Sequence, residues 1–150
     1  MSELESLYQE VILDHNRRPR NFKVLEKANR QAEGFNPLCG DRVTIYLEVE
    51  GDVVKDVAFQ GSGCAISMAS SSIMTESLKG KSLVEVERLW TTFRELVTGE
   101  SELASGQPDV GKLAVFGGVS NYPVRVKCAT LTWHTLRAAL RKAQKAATTE

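Results

Sequence analysis

No stretch of roughly 18 consecutive apolar residues occurs in the sequence, so no helical membrane span is expected. Charge of one sign is also lacking: 19 Lys and Arg balance 19 Asp and Glu to a formal net charge of +0, and the bulk composition carries no electrostatic footprint for nucleic acid. Cysteine is sparse. Three widely spaced cysteines cannot all pair within one chain and do not resemble the dense framework of a small secreted scaffold. A reducing, cytoplasmic setting follows, with thiols free or bound to metal. The opening MSELESLYQE holds acids where a secretory signal carries basic residues before an apolar run, so no signal is expected. Signatures of common enzyme classes are missing too. There is no GxSxG nucleophile elbow, no GxxxxGK[ST] phosphate loop and no GxGxxG after a strand.

What is present is ordinary globular material. Hydrophobic residues make up 42% of the chain, charged residues 25%, and 11 glycines are spread through it, which excludes disorder of the whole. A chain of 150 residues buries roughly 68% of its unfolded surface and needs no disulfide to fold. With no repeat and no long linker, residues 1–150 are expected to form one domain.

The elements can be placed in turn. Leu4, Leu7, Tyr8, Val11 and Ile12 recur at helical spacing over residues 3–15, with Pro19 as a limit. Arg17, Arg18 and Arg20 then form a basic exit, either solvated or a docking patch. Val43, Ile45, Leu47 and Val49 alternate with Thr44, Tyr46, Glu48 and Glu50, so a half-buried strand begins just after Asp41. Gly51-Asp52 reads as a turn into a second strand over Val53 to Phe59, paired antiparallel, and a further strand near Gln31 to Phe35 completes a small sheet. Helices are predicted over Ala65 to Leu78 and Leu83 to Val97; Thr98 to Gln107 breaks the pattern. Gly111 to Phe116 reads as a short helix, Pro123 begins another, and Thr130 to Ala147 reads as a long C-terminal helix. The fold class is α+β: a small antiparallel three-stranded sheet packed against several helices.

The residues able to carry chemistry are few. In Pro37-Leu38-Cys39-Gly40-Asp41, glycine frees the backbone to turn a thiolate and a carboxylate toward one centre. Cys64 follows Gly61-Ser62-Gly63 at a strand-to-helix junction, where the positive end of a helix stabilises a thiolate. Cys128 follows Arg125 and Lys127, cations able to lower a thiol pKa. Should they converge, Cys39, Asp41, Cys64 and Cys128 make a tetrahedral set suited to zinc, and also a place to hold iron-sulfur intermediates. Their separations match no zinc finger. His15 reads as a surface or C-cap residue, His134 as an ordinary helix residue, packed or solvent-exposed, and Ser67, Ser70, Ser71 and Ser72 as a polar, close-packed helix face.

Together, LYQEVILDHNRRPRN, NPLCGD, FQGSGCAISMASSS and YPVRVKCATL resemble the U-type iron-sulfur cluster assembly family, of which IscU and the N-terminal part of NifU are members, through nearly the entire chain. Within it the sequence is similar to the SufU branch: Lys127 stands where the scaffold branch has a histidine, and an extra segment runs around Thr98 to Val110. The resemblance implies Cys39, Asp41, Cys64 and Cys128 as zinc ligands. It further implies that Cys39 receives sulfur from the persulfide of a pyridoxal phosphate-dependent, SufS-like cysteine desulfurase. A histidine of that partner is expected to replace Cys39 on zinc, releasing a thiolate able to attack a persulfide. Sulfur is then expected to pass to a cluster-assembly complex or a thiol reductant, with Arg125 and Lys127 as electrostatic support or merely solubilising charge. The chain is thus read as a zinc-dependent sulfurtransferase. The alternatives are a scaffold building a [2Fe-2S] cluster on the same residues, disfavoured by Lys127, and an interaction module with purely structural zinc.

Overall fold

The alternating pattern after residue 40 builds the centre of the molecule. In the computed structural model, which describes residues 3–99, 108–141 and 147–148, strand β2 runs Asp41–Glu50. It buries Val43, Ile45, Leu47 and Val49. The two-residue Gly51-Asp52 turn, with Gly51 at φ +62°, returns the chain into β3 (Val53–Ser62), antiparallel to β2 with a bulge at Glu48/Val49. On the other side of β2 lies β1 (Arg30–Asn36), also antiparallel, giving the three-stranded antiparallel sheet.

A two-residue strand, Ala147–Thr148, adds to β1 in parallel, so the complete order is β3-β2-β1-β4, with this pair as β4. This corrects the expected long C-terminal helix, because Ala147 pairs with Gly34 of β1. A helix from Pro123 to Leu140 stands in its place, and its last carbonyl at Leu140 accepts a hydrogen bond from Arg30 Nη1 at 2.7 Å. The outer edge of β3 is covered by Asn21 to Lys23, whose backbone exchanges hydrogen bonds with Phe59.

The helices share one core with the sheet. α1 (Glu3–Arg17), α2 (Ala65–Leu78), α3 (Leu83–Thr98) and α4 (Pro123–Leu140) lie close to the expected limits, except that α4 is one continuous helix. A capping box of Ser82 and Glu85 starts α3, and Gly99 at φ +78° ends it. The expected break at Thr98 to Gln107 and the extra segment to Val110 fall largely outside the described residues. After them Pro108–Phe116 forms a 3-10 stretch kinked at Gly111. Helix α4 presses on β1 where Gly34 has no side chain; a Cβ there would strike Thr135 Oγ1. Trp133 of α4 stacks on Phe93 at 5.0 Å and on Trp90 at 6.0 Å, and Phe93 meets Phe116 edge-on, clamping α3 to α4. His134 packs its ring against Trp90 at 5.2 Å, the first of the two ordinary roles, packing or solvent exposure, expected for it.

His15 departs from expectation. It is buried under α2, with Nδ1 2.7 Å from Ser72 Oγ and Nε2 3.6 Å from Glu76. Periodicity alone could not show that α1 lies across a serine-rich helix. Ser67, Ser70, Ser71 and Ser72 are all buried, so they form a packing seam, in keeping with the close-packed polar face expected of them. Arg18 and Arg20 both turn back onto Asp14, each at 2.6 Å, and hold its carboxyl down at a pKa of about 2.

Candidate metal centre

A turn, a helix cap and a helix deliver the three sulfurs. Buried Asn36 closes the β1–β2 turn: its carbonyl accepts from the Gly40 N–H at 2.8 Å and the Cys39 N–H at 3.3 Å, and its Oδ1 accepts from the Leu38 N–H at 3.1 Å. Gly40 sits at φ +72°, a conformation that disfavours a side chain, and this places exposed Cys39 beside buried Asp41. The Asn-Pro pair is a readable turn signal, but nothing in the residue pattern assigns Asn36 a positioning role.

Cys64 arrives at the same end of the sheet, where β3 finishes with Ser62 paired to Arg42 beside Asp41. Its N–H donates to Asp41 Oδ1 at 2.9 Å, and its Sγ caps α2 by accepting from the Ser67 N–H at 3.5 Å. Gly63 is required for this approach, since a Cβ there would strike the Asp41 carboxylate. Cys128, fully buried in the second turn of α4, comes from below, with its sulfur 3.4 Å from that of Cys39. All three cysteines are free thiols.

Donor atoms of Cys39, Asp41 and Cys128 lie within 4.8 Å of one another, a grouping able to hold a metal ion. Cys64 flanks this trio, with Sγ 3.9 Å from Asp41 Oδ2. Sulfurs about a tetrahedral zinc sit roughly 3.8 Å apart at a metal–sulfur length of about 2.3 Å, so the spacing suits such an ion with little adjustment. The donor chemistry fits as well: a fully buried carboxylate among thiols is a concentration of potential negative charge that a cation would balance.

Burial dominates the titration of Cys128. Desolvation pushes its thiol well up, reinforced by the neighbouring Cys39 and Cys64 sulfurs and by Asp41. The basic residues upstream were expected to lower it; they do not, because burial and the neighbouring sulfurs and carboxylate prevail. Arg125 does lie against the sulfurs, and the negative charge of Cys64, then of Cys128, raises its own pKa. Lys127 is half-buried beside Cys128, and its side-chain amine makes no hydrogen bond or ion pair among the described residues.

Comparison with known proteins adds a direct measure of kinship. Residues 7–147 match the family described as the NifU-like N terminal domain. The chain is 39% identical over 139 residues to the zinc-dependent sulfurtransferase SufU of Bacillus subtilis, covering 93% of this chain and 92% of that protein. It is 37% identical over 146 residues to the iron-sulfur cluster assembly scaffold protein IscU of Streptococcus pyogenes, covering 97% and 90%. Among solved structures, the SUF-system protein FiSufU of Fervidobacterium islandicum AW-1 superposes with a TM-score of 0.81 at 37% identity, covering 91% of this chain and 98% of that one. Those identities are too close together to choose between the sulfurtransferase and the scaffold.

Proposed function

The chain belongs to the NifU-like N-terminal domain family, whose SufU, IscU and NifU members share its fold, and on that premise we propose that it is a zinc-dependent sulfur acceptor whose reactive sulfur is Cys39. Its general role lies in iron-sulfur cluster assembly and the sulfur transfer that feeds it. The observation that carries the finer reading is the contrast within the centre: Cys39 is exposed on a turn while Asp41 and Cys128 beside it are buried. One sulfur faces a partner and the others anchor it.

Cys39, Asp41, Cys64 and Cys128 would hold zinc, which when bound keeps thiols in the thiolate form and knits separate segments together. The protein's own part is positional. The Asn36 turn presents the Cys39 thiolate outward, where it attacks the outer sulfur of a partner cysteine persulfide. The partner's S–S bond breaks, its cysteine leaves as thiolate, and Cys39 carries the persulfide. Arg125 steadies the negative sulfurs. The partner of this proposal is a SufS-like, pyridoxal phosphate-dependent cysteine desulfurase, with a cluster-assembly complex or small thiol as recipient.

The test is cysteine-dependent alanine formation by the desulfurase, titrated with zinc-loaded protein under reducing conditions. Saturable stimulation that disappears in Cys39→Ala, with loss of the Cys39 persulfide by mass spectrometry, is expected. Undiminished persulfide acceptance by folded Cys39→Ala protein would sink the assignment. The second reading, a [2Fe-2S] scaffold, draws on the likeness to IscU and on the same donors. It would show instead as a visible cluster chromophore on anaerobic reconstitution and as cluster transfer to an apo-acceptor. Partner binding that survives blocking of Cys39, without sulfur transfer or cluster formation, would leave a structural-zinc module.

A further inference from the structure

We propose that the cavity beside the thiol centre binds a small thiol bearing a carboxylate and an amide, and that this compound takes the sulfur from Cys39. The proposal rests on the sulfur-acceptor reading and, of the two recipients named there, takes the small thiol and adds its chemistry and its site. A cavity of ≈ 530 Å³ lies between α1, the first turn of α2 and the start of α4. That volume suits a small organic molecule. Its walls offer an apolar surface from Ile12, Ile66 and Val119, with the rings of Tyr8 and Tyr122 beside them.

The polar lining points to the ligand's chemistry. Gln9 and Asn121 supply side-chain amides that both donate and accept, matching an amide in the ligand. Arg125 supplies the charge. It lines the cavity and also bonds the Cys64 and Cys128 sulfurs, and Cys128 Sγ is 3.4 Å from Cys39 Sγ. A guanidinium has five donors in a planar fork, so one that touches sulfur keeps donors for a carboxylate. A molecule whose carboxylate sits on Arg125 is one side chain away from the Cys64 and Cys128 sulfurs, with Cys39 Sγ 3.4 Å beyond Cys128 Sγ, so a thiol is the reactive group that this placement favours.

The transfer is an exchange with no net redox change. The ligand thiolate attacks the outer sulfur of the Cys39 persulfide; the bond between that sulfur and Cys39 breaks, and its electron pair leaves on Cys39 as thiolate. The outer sulfur keeps its proton and departs as the ligand's persulfide.

The probe is N-acetylcysteine, with N-acetylcysteinamide as the uncharged control, acting on the zinc-loaded full chain carrying a Cys39 persulfide. Loss of the persulfide is followed by intact mass. The rate is expected to saturate with N-acetylcysteine, and the amide should need about tenfold more for half-saturation. Arg125→Gln should erase that difference. Gly118→Leu, at a cavity position where an added Cβ meets nothing within 4 Å, should abolish saturation in protein whose circular dichroism and zinc content are unchanged. Rates linear in thiol and equal for both compounds would overturn the site, while the persulfide already seen on Cys39 would leave the acceptor reading standing. If Cys39 takes no persulfide at all, the acceptor reading fails and the recipient role falls with it. Calorimetry with S-methyl-N-acetylcysteine, which cannot exchange sulfur, then decides the cavity alone: binding weakened by Arg125→Gln supports it, and no binding refutes it.

Discussion

Two polar clusters sit along α2 and differ in whether they are complete. Midway along the helix, Ser72 Oγ accepts the Arg20 N–H at 2.8 Å and meets His15 Nδ1 at 2.7 Å, while Asn21 Nδ2 donates to Thr75 Oγ1 at 3.0 Å. Donors and acceptors match there, so the cluster ties α1 and its exit to α2 without any outside group. At the N-terminal end of the same helix, three thiols and a buried carboxylate crowd together, answered by the Cys64 and Ser67 N–H groups and by exposed Arg125. Positive charge is short there. A matched buried network supports the fold, whereas an unbalanced one is suited to a cation.

The sharpest way to break this contrast is Asp41→Ala. It removes the buried carboxylate and should weaken zinc affinity at least about 100-fold in competition with a chelator, since even indirect supports of a metal site are worth about 10–100-fold. Unchanged zinc affinity would remove Asp41 from the donor set. Chelation of wild-type protein comes next. A metal at about 1,000 times its dissociation constant stabilises by about 4 kcal/mol, and each kcal/mol is worth about 2–4 °C at this size. The melting temperature should therefore fall by roughly 10 °C, and chelation should add little to the loss already present in Asp41→Ala.

The complete cluster predicts smaller, metal-independent effects. His15→Ala takes from buried Ser72 Oγ one of its two partners, leaving the Arg20 N–H, and should cost about 1–3 kcal/mol in denaturant unfolding, equally with and without zinc. A loss seen only in zinc-loaded protein would join the two clusters into one. The smallest effect is in pH. Burial holds His15 and His134 below their ordinary value of 6.5, so below that pH the unfolded chain binds protons that the native state refuses. Stability contributed by the neutral rings is present above pH 6.5 and declines as pH falls toward the folded pKa values. His15→Asn should flatten this decline in part, leaving the share due to His134.

Sequence pattern alone determined the elements whose periodicity is local. Strict alternation wrote β2, the Gly51-Asp52 turn wrote its hairpin with β3, and the apolar spacing wrote α2 and α3, because each signal lies within one element and its cap. Cys39, Asp41, Cys64 and Cys128 could likewise be named as candidates from their residue types and their neighbouring glycines. Their meeting could not be read that way, since it depends on how β1, β3 and α4 converge across long sequence separations. The same is true of β1, whose Arg, Gln, Glu and Gly carry little strand signal until α4 packs at Gly34, and of His15, which looks like a helix exit until α2 covers it. Tertiary structure also decided the charge balance: burial, a long-range property, raised Cys128 against the local cations that were expected to lower it.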